Sequence, residues 1–157
     1  MRSIHDWFAA YGESHRDPTN KALHWVCIPV IFLSIVGLLW GIPSPVATPH
    51  VWAWVAVAAV AVFYARLSKP MMLAMVAWSL LCCGLVMLME RWLPLPLWVT
   101  CLSLFAGGWI GQFIGHHIEG KKPSFLQDLQ FLLIGPAWLM GDLFRRAGLR
   151  YCGRRRK

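Results

Sequence analysis

Five apolar runs, at 24–41, 51–65, 71–89, 95–114 and 125–144, leave this chain few ways to fold in water. Crossing the hydrocarbon of a bilayer takes about 20 predominantly apolar residues, with a range of roughly 17–25. The first, third and fourth runs qualify directly. The second is short, and His50 and Trp52 extend it into the interface. Only 14% of the 157 residues are charged, against 58% hydrophobic, whereas a soluble domain carries about 25% charged residues. Such a chain cannot cover its outside with polar groups, so its outside faces lipid. Ten Trp agree, because indole rings favour the headgroup level.

The connections carry turn chemistry: Gly41-Ile42-Pro43-Ser44-Pro45, Ser68-Lys69-Pro70 and Leu93-Pro94-Leu95-Pro96 predict tight antiparallel hairpins. No internal repeat or low-complexity linker divides the chain. Lys and Arg in short loops mark the cytoplasmic side. Arg2, Arg16 and Lys21 precede the first run, Arg66 and Lys69 follow the second, and Lys121 and Lys122 follow the fourth, while 42–50 holds none and the third loop holds Arg91 beside Glu90. The N-terminus lacks the uninterrupted apolar core of a signal peptide, so the membrane segments themselves direct insertion.

The fifth run breaks this alternation. If it crossed, Arg145, Arg146, Arg150, Arg154, Arg155, Arg156 and Lys157 would lie outside. It also holds Gln127, Asp128 and Gln130 near its start and Gly135-Pro136 in its middle, and proline removes a helix hydrogen bond. The expectation is therefore one domain over 1–157, an all-α integral membrane protein. It has four transmembrane helices plus a fifth broken, re-entrant or interfacial apolar segment that returns the tail to the cytoplasm. The net charge of +8 resides largely in that tail, which suits anionic lipid; no nucleic-acid motif accompanies it. Cys27, Cys82, Cys83, Cys101 and Cys152 form no CxxC pair and read as small, reduced hydrophobes.

Chemistry points to the histidines. His5, His15, His24, His116 and His117 fall at the cytoplasmic end in this topology, and His50 at the other. His15 and His24 are nine residues apart, a rotation of about 900° that would set them on opposite faces of one unbroken helix. Asp17 is a helix cap and Pro18 suits the first helical position, so a turn there lets both rings converge. Pro29 frees the carbonyl of Trp25 and can bend that helix. Near the end of the fourth run, Gln112 and His116 are four apart and His116 and Glu119 three apart, so each pair shares a face, while Gly120 and Pro123 stop the helix. Imidazoles with a carboxylate suit Fe, Zn or Cu, and an open site of that composition suits ferrous oxygen chemistry. The competing reading is interfacial histidines that touch headgroups or cap helix ends, which is the natural account of His5 and His50. His117 faces a different direction from His116. No HExxH, GxSxG, P-loop or GxGxxG is present, and Ser14 beside His15 is no nucleophile–base arrangement.

These two stretches resemble one known family. The pattern Tyr11-x3-His15-x-x-Pro18-x-Asn20-x3-His24 followed by Ile28-Pro29, then Gln112-Phe113-Ile114-Gly115-His116, Glu119-Gly120-Lys121-Lys122-Pro123 and Gly135-Pro136, is similar to that of the Mpo-type membrane proteins. Characterised members are iron(II)-dependent 2-hydroxy fatty acid dioxygenases. The resemblance covers nearly the whole chain. It implies an Fe(2+) oxidoreductase of lipid metabolism that uses O2 to shorten a 2-hydroxy fatty acid by one carbon, as in fatty acid alpha-oxidation. It implies His15, His24 and His116 as iron ligands, with Glu119 in the catalytic set. Asn20, Gln112, Glu119 and His117 are the candidates for holding those ligands in place. Arg16, Lys121 or Lys122 would attract the substrate carboxylate. The expected setting is a multi-pass protein of a bacterial inner membrane, in contact with membrane lipid, with both termini cytoplasmic. A non-enzymatic haem- or lipid-binding membrane protein and a zinc-dependent lipid hydrolase are the rival readings.

Overall fold

The computed structural model describes residues 3–123 and 130–151. Gln127, Asp128, Cys152 and the basic residues Arg154, Arg155, Arg156 and Lys157 lie outside the described residues. Among those described there are six helices and no strand: α1 (Ile4–Gly12), α2 (Pro18–Trp40), α3 (Val51–Ala65), α4 (Lys69–Trp92), α5 (Leu97–Glu119) and α6 (Phe131–Arg146). The 23, 24 and 23 residues of α2, α4 and α5 are long and apolar enough to cross a membrane, each rising about 35 Å. The apolar α3 has 15 residues and rises only about 22 Å. Three long candidate spans and one shorter apolar helix thus stand where four spans were expected, the shorter one being the run that was already short in the sequence.

Local sequence accounts for the ends of these helices. Asp17 caps α2 by accepting the backbone N–H groups of Thr19 and Asn20, with Pro18 in the first turn. Pro29 lies inside α2 without ending it. Gly120 closes α5 in the left-handed region at φ 70°, a conformation that costs glycine nothing. The additional helix α1 opens on a capping box, Ser3 and Asp6 each accepting from the other's backbone.

α2, α3, α4 and α5 run up and down, which places the start of α2, the end of α3 and the end of α5 together. The closest packing is between α2 and α5. A Cβ on Gly108 would lie 2.6 Å from Ile31 Cγ1, and one on Gly115 would collide with Asn20 Oδ1. Small residues at these points let two apolar helices approach, and dispersion contacts then hold them without help from water. Toward the other end, Gly37 faces Cys101 in the same way.

α6 departs from expectation. The helix runs through Gly135-Pro136 instead of breaking there. Pro136 sits early in the helix, so its missing N–H frees only the carbonyl of Leu132, and the pair serves packing: a Cβ on Gly135 would stand 3.0 Å from Tyr11 Oη. With 16 residues, α6 rises about 24 Å, short of a bilayer core. Its contacts stay near one end of the bundle. Tyr64 near the end of α3 hydrogen-bonds the Leu133 carbonyl, and Ser68 hydrogen-bonds that of Tyr151 beyond α6. A buried cluster of Ile4, Val60, Tyr64, Met71, Met75 and Ala137 fastens α1 and α6 onto α3 and α4. A second cluster, including Val36, Trp40, Ala53 and Val86, fills the opposite end.

Candidate metal centre

The end of the bundle that carries α1 and α6 also gathers the histidines. His15, in the α1–α2 turn, is 2% exposed, His24 on the second turn of α2 is 0% and His116 on the last turn of α5 is 5%. Their ring centroids are 4.3 Å apart for His15–His24, 5.0 Å for His15–His116 and 4.9 Å for His24–His116. One ring nitrogen from each lies within 4.8 Å of the others. The turn ahead of Asp17-Pro18 makes this possible, because it frees His15 from the helical phase of His24.

The hydrogen bonds fix which nitrogens face the centre. His15 Nδ1 lies 2.6 Å from the Tyr11 carbonyl and His24 Nδ1 lies 2.8 Å from the Asn20 carbonyl. A carbonyl only accepts, so both Nδ1 atoms carry the proton and both Nε2 atoms carry a lone pair. Those two Nε2 atoms and His116 Nδ1 are buried and make no hydrogen bond of normal geometry, although the Gln112 side chain stands beside the His24 ring. Burying a polar atom unpaired costs free energy, and three such atoms at one place could hold a cation. Burial pushes the His15 imidazole down to about 4, so it is neutral and able to donate its lone pair at neutral pH. The donor set, three imidazoles of which two are fixed by carbonyls behind them, fits a first-row transition metal.

Both carboxylate oxygens of Glu119 are engaged. Its Oε1 accepts Arg16 N–H at 2.9 Å, and Oε2 accepts Asp17 N–H at 2.7 Å and Asn20 Nδ2 at 3.1 Å. The carboxylate thus ties the end of α5 to the turn that carries His15. Lys121 Nζ adds a bond to the Glu13 carbonyl at 2.8 Å. Asn20 is fully buried and central: its side chain also donates to the Ser14 carbonyl at 3.1 Å, and its own carbonyl holds His24. Gln112 is buried one turn before His116, whereas His117 is exposed. His5 lies near Tyr151. His50 is at the far end, stacked 3.9 Å from Trp40 and bonded to its carbonyl at 2.9 Å.

Two aromatic residues complete the surroundings. Tyr11 stacks on His15 at 4.0 Å and Trp138 of α6 lies 5.7 Å from it. The four-residue spacing of Tyr11 and His15 was a readable signal, but nothing local announces Trp138. Burial pushes the Tyr11 phenol up. A cavity of about 170 Å³, lined by Tyr11, Ile28, Phe105, Trp109, Gln112 and His116 among others, runs from His116 along α2 and α5.

Fold and site together define an all-helical protein with apolar helices fit for a membrane and a buried three-histidine centre. The chain matches the family described as 2-hydroxy-palmitic acid dioxygenase Mpo1-like over residues 1–147, and it belongs to that family. No curated protein and no solved structure gives a significant match.

Proposed function

We propose that the chain is an iron(II)-dependent dioxygenase that shortens 2-hydroxy fatty acids by one carbon at the cytoplasmic face of a membrane. The observation that supports this most is the convergence of three unpaired, buried imidazole nitrogens at the head of an apolar cavity. His15, His24 and His116 would hold the ion. Three protein ligands leave positions for other donors, and a ferrous ion there supplies the redox chemistry that makes O2 reactive. Loss of the carboxyl carbon as carbon dioxide, with one water, balances one O2, so the substrate supplies all four electrons.

The chain's own groups set the conditions. The carbonyls of Tyr11 and Asn20 hold two imidazoles in the tautomer that presents Nε2. Glu119 and Asn20 position the turn that carries His15. The apolar cavity accepts the acyl chain next to the centre and keeps water from it, while the remainder of the chain lies among lipid. The termini, the α3–α4 turn and the segment after α5 lie on the cytoplasmic side, where Lys and Arg accumulate.

Two experiments test this. Anaerobically purified protein should hold iron stoichiometrically and consume O2 on addition of 2-hydroxypalmitate, releasing the acid one carbon shorter. Stoichiometric zinc without O2 uptake, or a haem absorption band, would overturn the reading in favour of a hydrolase or a haem protein. Reporter fusions after Lys157 should report a cytoplasmic C-terminus, and an external signal would refute the topology.

A further inference from the structure

The three-histidine centre touches a second cavity, of about 670 Å³, whose chemistry is the reverse of the first. His15 and Arg16 line it from the α1–α2 turn, with Lys21 and Trp25 from the start of α2 and Arg145 and Arg146 from the end of α6. Asp142 is the single acidic residue among those lining it, set against four cations. It is already engaged: Arg145 pairs with it, and Arg146 Nε lies 2.8 Å from its Oδ2. The Arg146 guanidinium is held in place a second time, 5.3 Å from the centre of the Trp25 ring. Asp142 and Trp25 thus orient this largely exposed side chain toward the cavity while its terminal amino groups keep no partner among the described residues. Lys21 stands one turn before Trp25 on α2, has no acidic partner among the described residues, and lies close enough to His15 for its charge to act on that ring. Positive-inside topology would scatter such charges around the helix ends. Here they line one vestibule that opens on a buried imidazole, and the apolar cavity reaches the same centre at His116. An uncompensated basic space and an apolar one meeting at one centre match an amphiphile with an anionic head.

We propose that this vestibule is the carboxylate-recognition part of the site: Arg146 and Lys21 attract and bind the ionised carboxyl of a free long-chain acid whose chain occupies the apolar cavity, and so select free acids over their esters. The inference rests on the function proposed above for the fate of that acid, but not for its binding. Arg146 is the principal contact, because its fork of donors suits a carboxylate and Asp142 and Trp25 already orient it. Lys21 acts as a point charge.

The test is equilibrium binding of 2-hydroxypalmitate and its methyl ester to the metal-free full chain in nanodiscs of phosphatidylcholine. Arg146→Gln and Lys21→Gln should each weaken acid binding about tenfold, the size of a lost charge-assisted bond, and leave ester binding unchanged. Arg66→Gln, exposed after α3 and outside the vestibule, should change neither. Variants that bind the acid as tightly as the unaltered chain, or that lose acid and ester equally, would overturn the proposal. So would displacement of the acid, but not the ester, by phosphatidylglycerol added to the nanodiscs, which would assign the vestibule to lipid headgroups. Acid binding that follows these charges in a protein that does not turn over with iron would remove the dioxygenase reading and leave this one standing. Turnover with unaltered affinity in both variants would do the reverse.

Discussion

Glu119→Gln separates three roles for one carboxylate. In the structure both oxygens are used: one backbone N–H on Oε1, and one backbone N–H plus an Asn20 amide on Oε2. Glutamine is nearly isosteric but keeps one acceptor and presents an NH2 group in place of the other. At least one of the three donors therefore loses its partner, and the bonds that survive lose their charge. A hydrogen bond to a charged group contributes about 1.5–3 kcal/mol. Glu119 is only half-buried, so water recovers part of this, leaving about 1–2 kcal/mol. That free energy holds the turn bearing His15 against α5, so its loss loosens one of three ligands. Iron affinity should fall roughly 10–100-fold, the range typical when a group behind a ligand is removed, and toward the lower end given the solvent exposure. Anaerobic iron titration of the variant measures it, with thermal unfolding as the control for fold. Unchanged affinity and turnover would refute the tie between Glu119 and the centre. Total loss of metal from a folded protein would make Glu119 a direct ligand instead.

Other outcomes follow from the same geometry. His15→Ala, His24→Ala and His116→Ala should each abolish stoichiometric iron and turnover in protein that still inserts, while His50→Ala, stacked on Trp40 at the other end, should keep both; iron content and O2 uptake decide. The metal-free protein should lose stability in acid. Burial lowers the His15 imidazole from its ordinary 6.5 to about 4 in the folded chain, so between these values the unfolded chain binds the extra proton and stability falls as pH decreases. Melting temperature against pH should bend downward below about 6.5, less so in His15→Phe, and an identical bend in that variant would show that His15 is not its source.

How much of this was legible depended on whether the partner of a residue was near it in the chain. Asp17, Pro18 and Gly120 carry their signals locally, and the structure uses them as cap, first-turn proline and left-handed stop. The Ser3–Asp6 capping box is equally local, but the nine residues of α1 are too few to stand out as an apolar run. Gly135-Pro136 misled as a break because a proline's local cost is one hydrogen bond, which packing against Tyr11 and Ile28 offsets. Glu119 is the clearest case of what spacing cannot give. Three residues from His116, it reads as a ligand, a partner of a ligand, or a surface charge. Its real partners are backbone N–H groups about a hundred residues away, and backbone donors leave no mark in side-chain patterns. The basic vestibule is hidden for the same reason, since Arg146 and Lys21 meet only through the docking of α6 on α2.

The small-residue contact between α2 and α5 also orders events in time. His15 and His24 leave the ribosome early, and His116 follows only after α3, α4 and nearly all of α5 have been made. Until Gly108 and Gly115 seat against Ile31 and Asn20, the chain offers two imidazoles and no third. An ion that needs all three cannot be captured during synthesis, nor by a chain whose helices have inserted without associating. Loading is therefore a late step, and the occupied centre reports that the first and last long apolar helices have found each other within the bilayer.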